Sequence, residues 1–261
     1  MNSQNIKIKF LGITLVVFLF LAGCQPAQTE QPEPESTPTV ESAPIESEPV
    51  EPIEVSADLI LDPAITEDPD SLLVSQYLYE GLVRLDENGN VQPGLSESWV
   101  ISDDQLDYIF ELRPGLKFSD GTDITADIIV ANFNRWFDPQ NALHGDGNFP
   151  TWKKIFLAFN GERDSENRAL SPVDGIQKVD ENTVIIHLNR LEPNLLNYLA
   201  LPAFTVLKTD ALAAGGYGAQ GSEIISSGAY IVESWTDEGM NLIPNPNYWS
   251  PVEGEVKFIW K

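Results

Sequence analysis

The stretch that decides the fold is PGLSESWVISDDQLDYIFELRPGLKFSDGTDITADIIVANFNRW, residues 93–136. Every second side chain from Leu106 to Leu112 is apolar, and mostly polar residues stand between them. This alternation predicts a β-strand with one buried face. Pro114-Gly115 follows and fits a type II turn, because proline presets one φ and glycine supplies the positive one. The first half of the stretch therefore predicts a strand that ends in a tight turn.

The second half of the same stretch predicts a helix. Thr125 is a suitable N-cap, and Asp127 in the first turn is favourable for the helix dipole. From Ile129 to Phe137, apolar residues recur at helical spacing. A strand, a turn and an amphipathic helix thus follow one another directly, which indicates a domain built from both kinds of element.

Similar signals outside this stretch predict further elements. Ser71 can cap a helix that ends near Gly81, and the residues around Gly239 can turn a hairpin. Strands are predicted at Ile53–Ile60, Leu82–Leu85, Thr183–Leu188, Ile231–Trp235 and Met240–Ile243. Strands and helices alternate irregularly, and no internal repeat is present. The fold class that this pattern favours is mixed α/β or α+β.

The N-terminus carries the features of an export signal. Lys7 and Lys9 precede an apolar run of 13 residues from Phe10 to Ala22. A membrane-spanning helix needs about 20 residues, so the run has the length of a signal-peptide core instead. The run ends in LAGC, which resembles the lipobox of bacterial lipoproteins, so we predict a signal peptide over residues 1–23 and lipid on Cys24. An ordinary signal peptide beside an unrelated cysteine is the alternative.

Residues 24–53 differ in composition from everything that follows. They consist mainly of Pro, Glu, Ser, Thr and Gln, with few apolar residues. Repelling glutamates and frequent prolines oppose both helix and sheet. We therefore predict a disordered tether between the membrane and a folded part that covers residues 54–261.

Charge and composition exclude several functions. The chain of 261 residues has a formal net charge of -25, so it does not attract nucleic-acid phosphates. Cys24 is its single cysteine, and His144 and His187 are its two histidines. An intrachain disulfide, a cysteine zinc site and a multi-histidine site are therefore excluded. We expect no cofactor.

No recognised catalytic motif is present, so an enzyme is poorly supported. The acidic residues Glu67, Asp68 and Asp70 could hold a cation, or Glu67 and Asp70 could act as acid and base in an envelope hydrolase. They stand in a loop broken by proline, where acidic residues are common. We therefore predict that the protein is not an enzyme.

Four stretches together resemble the extracellular solute-binding proteins of family 5, the oligopeptide-, dipeptide- and nickel-binding lipoproteins of ABC importers. They are LDPAITEDPDS with YEGLV, the long stretch at residues 93–136, VDENTVIIHL, and SSGAYIVESW with NPNYW. The resemblance covers residues 53–261, and the long second stretch carries most of its specificity. It implies a periplasmic-binding-protein-like type II lobe. Residues 54–86 and 201–261 would form lobe I, and residues 87–200 an inserted subdomain.

The same resemblance implies where a solute would bind. In peptide-binding relatives the loop after LDP lines the cleft, which indicates Glu67, Asp68 and Pro69. The loop before GAY lines it too, which indicates the four residues from Ser226 to Ala229 (Ser226, Ser227, Gly228 and Ala229). Many members have GTGPY where this chain has SSGAY, so Ala229 restores a backbone N–H that could bind a peptide as an added strand. Each of these residues also has a structural alternative, as a turn or a solvated surface residue.

The resemblance also implies partners and a location. They are a peptide or another small solute, the permease subunits of an importer, and the membrane through the lipid on Cys24. The expected place is the extracytoplasmic side of the cell envelope. Since family members cross a hinge after NPNYW, we expect the strand Val256–Trp260 to point toward a missing second lobe, and residues 54–261 alone to expose an unpaired apolar edge. The alternative function is a non-transport surface lipoprotein that uses this half as a sensor or interaction module.

Overall fold

The computed structural model describes residues 51–261. The predicted signal peptide, Cys24 and all but the last residues of the predicted tether lie outside this range. The strands are β1 (Ile53–Val55), β2 (Val83–Leu85), β3 (Val91–Pro93), β4 (Ser96–Ile101), β5 (Asp107–Leu112), β6 (Val173–Lys178), β7 (Thr183–Leu188), β8 (Tyr230–Trp235), β9 (Gly239–Pro244) and β10 (Val256–Trp260). The α-helices are α1 (Pro69–Leu78), α2 (Ala126–Phe137), α3 (Pro150–Phe156), α4 (Leu195–Leu199) and α5 (Thr209–Ala213). Two 3₁₀ turns lie at Ala142–His144 and Pro202–Phe204.

The strands form three sheets. One has the order β1-β10-β9-β8, a second has the order β4-β5-β7-β6, and β2 pairs only with β3. The β1–β10 pair is parallel and every other pair is antiparallel. The fold is therefore mixed α/β, as the sequence predicts.

The apolar side chains form two clusters that follow the two larger sheets. One cluster joins β5 and β7 to α2 and α3, with Phe110, Phe133 and Trp152 at its centre. The other joins β1, β9 and β10 to α1, and includes Val74 and Phe258. Each of the two four-stranded sheets thus buries its own hydrophobic face, and the cleft described below lies where α1 ends.

Two helix starts show how local side chains fix the elements. Thr125 caps α2 as predicted, because its Oγ1 accepts from the Ile128 N–H at 3.4 Å. The prediction that Ser71 caps α1 is wrong. The carboxylate of Asp68 accepts from the Ser71 N–H at 2.7 Å, and Pro69 occupies the first helical position, where a missing N–H costs nothing.

The first strand is shorter than predicted and ends at Val55 rather than Ile60. Side chains from the start of α1 bind the backbone N–H groups that a longer strand would need. Asp70 Oδ2 accepts from the Ser56 N–H at 2.8 Å, and Ser71 Oγ accepts from the Ile60 N–H at 2.9 Å. These bonds stabilise a loop, because a donor bound to a side chain is no longer available to a sheet.

The strand Val256–Trp260 is not an edge of its sheet, and its direction toward a second lobe stays a prediction. This strand lies inside its sheet, with β1 on one side and β9 on the other. Ile53 lies opposite Phe258 in parallel register, and Phe258 is completely buried. The apolar side chains of β10 therefore complete the core of this sheet, whose edge strands are β1 and β8.

Candidate functional site

A cleft of about 460 Å³ opens at the C-terminal end of α1. Its walls come from residues 76–86 on one side and from residues 200–205, 228–229 and 248 on the other. Helices, a strand and loops from distant parts of the sequence meet here. Such a concave place, where charged groups converge, is the usual setting of a binding site.

Glu80 is the buried charged residue of this cleft. Its side chain is only 6% exposed. Oε2 accepts from the Tyr248 hydroxyl and from Trp249 Nε1, the latter at 3.2 Å. Oε1 has no hydrogen-bond partner among the described residues. The carboxylate is therefore satisfied on one side only.

The electrostatic surroundings of Glu80 follow from this burial. Desolvation raises the pKa of the Glu80 carboxyl, although the hydrogen bonds from Tyr248 and Trp249 and the charges of two arginines lower it. Burial and the neighbouring carboxylate also raise the pKa of the Tyr248 hydroxyl. The Tyr248 hydroxyl thus stays protonated at neutral pH and donates a hydrogen bond to Glu80.

Two arginines surround the indole of Trp249. Arg84 Nε lies 3.9 Å from Glu80 Oε1 and donates to the Pro93 carbonyl at 3.2 Å. The Arg84 guanidinium carbon lies 5.6 Å from the indole centroid. The corresponding distance for Arg113 is 3.7 Å, and its Nε donates to the Gly94 carbonyl at 2.8 Å. Backbone carbonyls and one aromatic ring thus hold both cations in place.

The predicted residues from Ser226 to Ala229 are divided between the wall and the layer behind it. Gly228 and Ala229 line the cleft. Ser227 is 1% exposed, and its hydroxyl donates to the Val206 carbonyl at 2.6 Å and accepts from the Glu80 N–H at 3.1 Å. Ser226 is buried too, and its N–H donates to Ser119 Oγ at 2.9 Å. The two serines support the wall rather than face the cleft.

Gly228 has a steric reason to be glycine. Its N–H donates to the Leu78 carbonyl at 2.9 Å. A Cβ on Gly228 would lie 2.8 Å from the Leu78 carbonyl carbon and from the Tyr79 nitrogen. This close approach of two backbones attaches the loop to the end of α1 and places Ala229 beside Glu80 in the cleft wall.

The other predicted group, Glu67 to Pro69, does not line this cleft. Asp68 and Pro69 begin α1, whereas the cleft lies at the end of that helix. A helix of 10 residues is about 15 Å long, so the two predicted groups lie at opposite ends of it. The Glu67 carboxylate is exposed and lies 3.6 Å from Lys154 Nζ. The structure therefore does not bring the two groups together.

The charged residues of the cleft are not among the predicted site residues. Glu80 belongs to YEGLV, and Tyr248 and Trp249 belong to NPNYW, two of the stretches that carry the family resemblance. From the sequence alone, these residues are interpreted as part of the family resemblance or of the core, because no sequence pattern shows that they contact one another. The signal that could have found them is the acidic residue and the tyrosine in these two short segments.

Other kinds of site are not supported in the described part of the chain. Among residues 51–261, no group of three or more His, Cys, Asp or Glu side chains could hold a metal ion. In the same range, no helix is both long enough and apolar enough to cross a membrane.

Comparison with known proteins identifies the family. A glutathione-binding protein, GsiB, from Escherichia coli O1:K1 / APEC is 31% identical over 193 residues, which are 73% of this chain and 33% of that protein. Heme-binding protein A from Haemophilus influenzae is 29% identical over 189 residues, with coverages of 67% and 32%. The solved Escherichia coli murein tripeptide binding protein MppA matches with a TM-score of 0.63 and 28% identity, over 79% of this chain and 40% of that one.

The chain spans about a third of the length of the curated proteins it matches, so only part of each relative is matched. On the side of this chain, the family model for the middle part of bacterial extracellular solute-binding proteins, family 5, matches residues 90–258. That range holds β3–β9, all helices after α1 and the loop with Gly228 and Ala229 in the cleft wall. The chain therefore belongs to the bacterial extracellular solute-binding proteins of family 5.

Proposed function

We propose that the chain is the solute-binding component of an ABC importer and that its solute is a peptide. The observation that carries the proposal is the cleft at the end of α1, in a chain of this family. In its wall, hydrogen bonds within the protein occupy the Gly228 N–H and the Gly228 and Ala229 carbonyls, which leaves the Ala229 N–H and the charge of Arg84 for a solute. Backbone groups hold an extended peptide without reading its side chains, and charged groups recognise its ends.

The names of the relatives favour peptides over other solutes. Two of the proteins above are named for glutathione and for a murein tripeptide, which are both short peptides. A third is named for heme, so heme is the competing solute. Heme is a large apolar ring, whereas the walls of this cleft include Glu80, Arg84, Asp86 and Gln76. The polar lining supports the peptide.

The lining supports binding rather than catalysis. Cysteine and histidine are absent from the cleft walls in the described part of the chain. The hydroxyl of Thr205 donates to the Pro202 carbonyl at 2.8 Å, and Glu80 Oε2 is occupied by Tyr248 and Trp249. Among the described residues that line the cleft, no serine, threonine or cysteine nucleophile is thus paired with a base, as covalent catalysis by such a residue needs.

The organisation that we propose has two parts in the folded region. Residues 54–86 and 201–261 form lobe I, and residues 87–200 form an inserted subdomain. The hydrophobic clusters support this division in part: one gathers around β1, β9 and β10, and the other gathers around β5 and β7 but also includes Leu82, Val83 and Phe204 of lobe I. In this proposal the chain supplies one wall of the solute site, and a hinge motion closes a second wall over the solute.

Calorimetry with three solutes tests the peptide proposal. Because the chain supplies one wall of a site that normally buries most of its ligand, we expect the purified protein to bind trialanine with a dissociation constant of about 1 mM, about -4 kcal/mol, and to bind glutathione in the same range. Hemin serves as the competing solute. Binding of hemin together with failure of both peptides to bind would overturn the peptide proposal.

A membrane anchor at Cys24 belongs to the same proposal. The lipid would hold the protein on the extracytoplasmic face of the membrane, where it meets the permease subunits of the importer. Its support is the basic, apolar and LAGC order of residues 7–24. We expect the protein to sediment with membranes and Cys24→Ala to abolish this sedimentation. A Cys24→Ala protein that sediments as before would disprove the anchor without affecting peptide binding.

A further inference from the structure

We propose that Arg84 binds a carboxylate of the solute and that Glu80 is the positioning residue that holds Arg84 in place. The inference rests on the proposed function, because it assigns a recognition group within the same cleft. It names the chemistry of the ligand: a peptide with a free carboxylate, bound through its C-terminal or side-chain carboxylate.

Arg84 is fixed to the backbone at one edge and exposes its terminal nitrogens in the cleft. Its Nε donates to the Pro93 carbonyl at 3.2 Å, so one edge of the guanidinium is fixed to the backbone. The two terminal nitrogens have no hydrogen-bond partner among the described residues, and the side chain is 52% exposed in the cleft wall. The backbone bond at Nε fixes the guanidinium, while its two terminal N–H₂ groups stay available. This planar pair of donors matches the two oxygens of a carboxylate.

Glu80 lies beside Arg84 as a buried and partly unsatisfied carboxylate. Oε1 is buried without a hydrogen bond, and its nearest cationic atom is Arg84 Nε at 3.9 Å. Because Tyr248 and Trp249 hold Oε2, the carboxylate is not free to turn toward solvent. The buried charge therefore attracts the guanidinium on its Nε side and does not occupy its terminal nitrogens. Glu80 thus positions Arg84 and leaves it available to a ligand.

The other charged residues near the cleft are already engaged within the protein. Asp86 also lines the cleft, but its carboxylate accepts from the N–H groups of Asn88 and Asn90 at 2.9 and 2.8 Å. The amide side chains of Asn90 and Gln92 donate to it as well, at 3.1 and 3.3 Å. The hydrogen bonds within the turn that follows Asp86 thus occupy both of its carboxylate oxygens. Arg113 is stacked on Trp249 and does not line the cleft, so Arg84 is the cation that faces a solute in these walls.

The test compares two probes that differ in one charge. Trialanine has a C-terminal carboxylate, and trialanine amide has a neutral C-terminus. We expect the protein to bind trialanine about 10- to 100-fold more tightly, which is the range for hydrogen bonds to charged groups. Arg84→Gln should abolish this preference by weakening the binding of trialanine more than that of the amide. Arg84→Lys should keep part of the preference, because it retains the charge but not the planar pair of donors.

Arg168→Gln is the matched control. Arg168 is 70% exposed and pairs with Asp164 and Glu166, away from the cleft walls. We expect it to change neither affinity, and urea unfolding should show that all variants are folded. Equal binding of both peptides by the unmodified protein would overturn the role of Arg84 while the proposed function stands.

A second measurement separates the two proposals if neither tripeptide binds. N-acetylalanine and its amide are titrated into the protein, and the arginine side-chain ¹H–¹⁵N signals are recorded by NMR. The Arg84 signals are identified by their loss in Arg84→Gln. A shift with the acid but not with the amide supports carboxylate binding at Arg84, even if the peptide proposal has failed. The absence of any shift overturns it.

Discussion

Two buried acidic residues of this protein are compensated in opposite ways. Asp62 and Arg135 form a closed pair, in which each side chain is 5% exposed and both guanidinium nitrogens Nη1 and Nη2 donate to the carboxylate. Glu80 and Arg84 form an open pair, in which the acid is 6% exposed and the arginine is 52% exposed. The closed pair uses all of its strong donors internally. In the open pair, the terminal nitrogens of Arg84 remain available to a solute.

The difference shows which charges build the fold and which serve recognition. Asp62 precedes α1 and Arg135 lies in α2, so the closed pair joins elements of the two hydrophobic clusters. Asn132, one turn earlier in α2, adds two bonds to the Leu207 backbone, at 2.8 Å to the carbonyl and 3.1 Å from the N–H. A fully satisfied buried network of this kind fixes the arrangement of its elements. The open pair fixes only the position of a guanidinium.

Breaking the closed pair should have the largest effect. Asp62→Asn keeps the shape of the side chain but leaves the charge of Arg135 buried without an anion. We expect a loss of about 3–5 kcal/mol in the free energy of unfolding, measured by urea denaturation. The double variant Asp62→Leu with Arg135→Met removes both charges and should recover most of that loss. A loss below about 1 kcal/mol in Asp62→Asn would show that solvent reaches the pair and that it is not closed.

The sequence predicts the elements better than it predicts these pairs. The alternation from Leu106 to Leu112 and the cap at Thr125 give β5 and α2 because local spacing and capping decide them. The family resemblance gives the family and the type of lobe. The position of Glu80 against Tyr248 is a long-range contact, and no local pattern encodes it. The end of β1 is predicted too late for the same reason. The side chains of Asp70 and Ser71 in α1 bind backbone N–H groups of the residues that follow Val55.

The open pair should show itself in the pH dependence of stability. Burial raises the pKa of the Glu80 carboxyl above its value in the unfolded chain, so the folded protein binds the proton more tightly. The free energy of unfolding therefore falls as the pH rises from the unfolded pKa through the folded one. Glu80→Gln removes this titration. We expect the difference in stability between the variant and the unmodified protein to move in favour of the variant as the pH rises from 4 to 7.

Urea unfolding at several pH values between 4 and 7 measures this difference, and Glu97→Gln provides the control. Glu97 is an exposed residue of β4, so its substitution should give a difference that hardly changes with pH. A Glu80→Gln curve that runs parallel to that of the unmodified protein would contradict the prediction. It would mean that the hydrogen bonds from Tyr248 and Trp249 fully offset the burial of the charge.

The exposed pair Glu67–Lys154 completes the series and should have the smallest effect on stability. Its atoms lie 3.6 Å apart, and the two side chains are 54% and 77% exposed, so water screens their attraction. We expect Glu67→Gln to change the free energy of unfolding by less than about 0.5 kcal/mol, measured by urea denaturation. Glu67 is also one of the residues that the sequence predicts in the solute site, at the end of α1 away from the cleft. If Glu67→Gln weakens trialanine binding without changing stability, the solute reaches along α1 to both of its ends. If it changes neither, recognition on this lobe belongs to the open pair at the end of the helix.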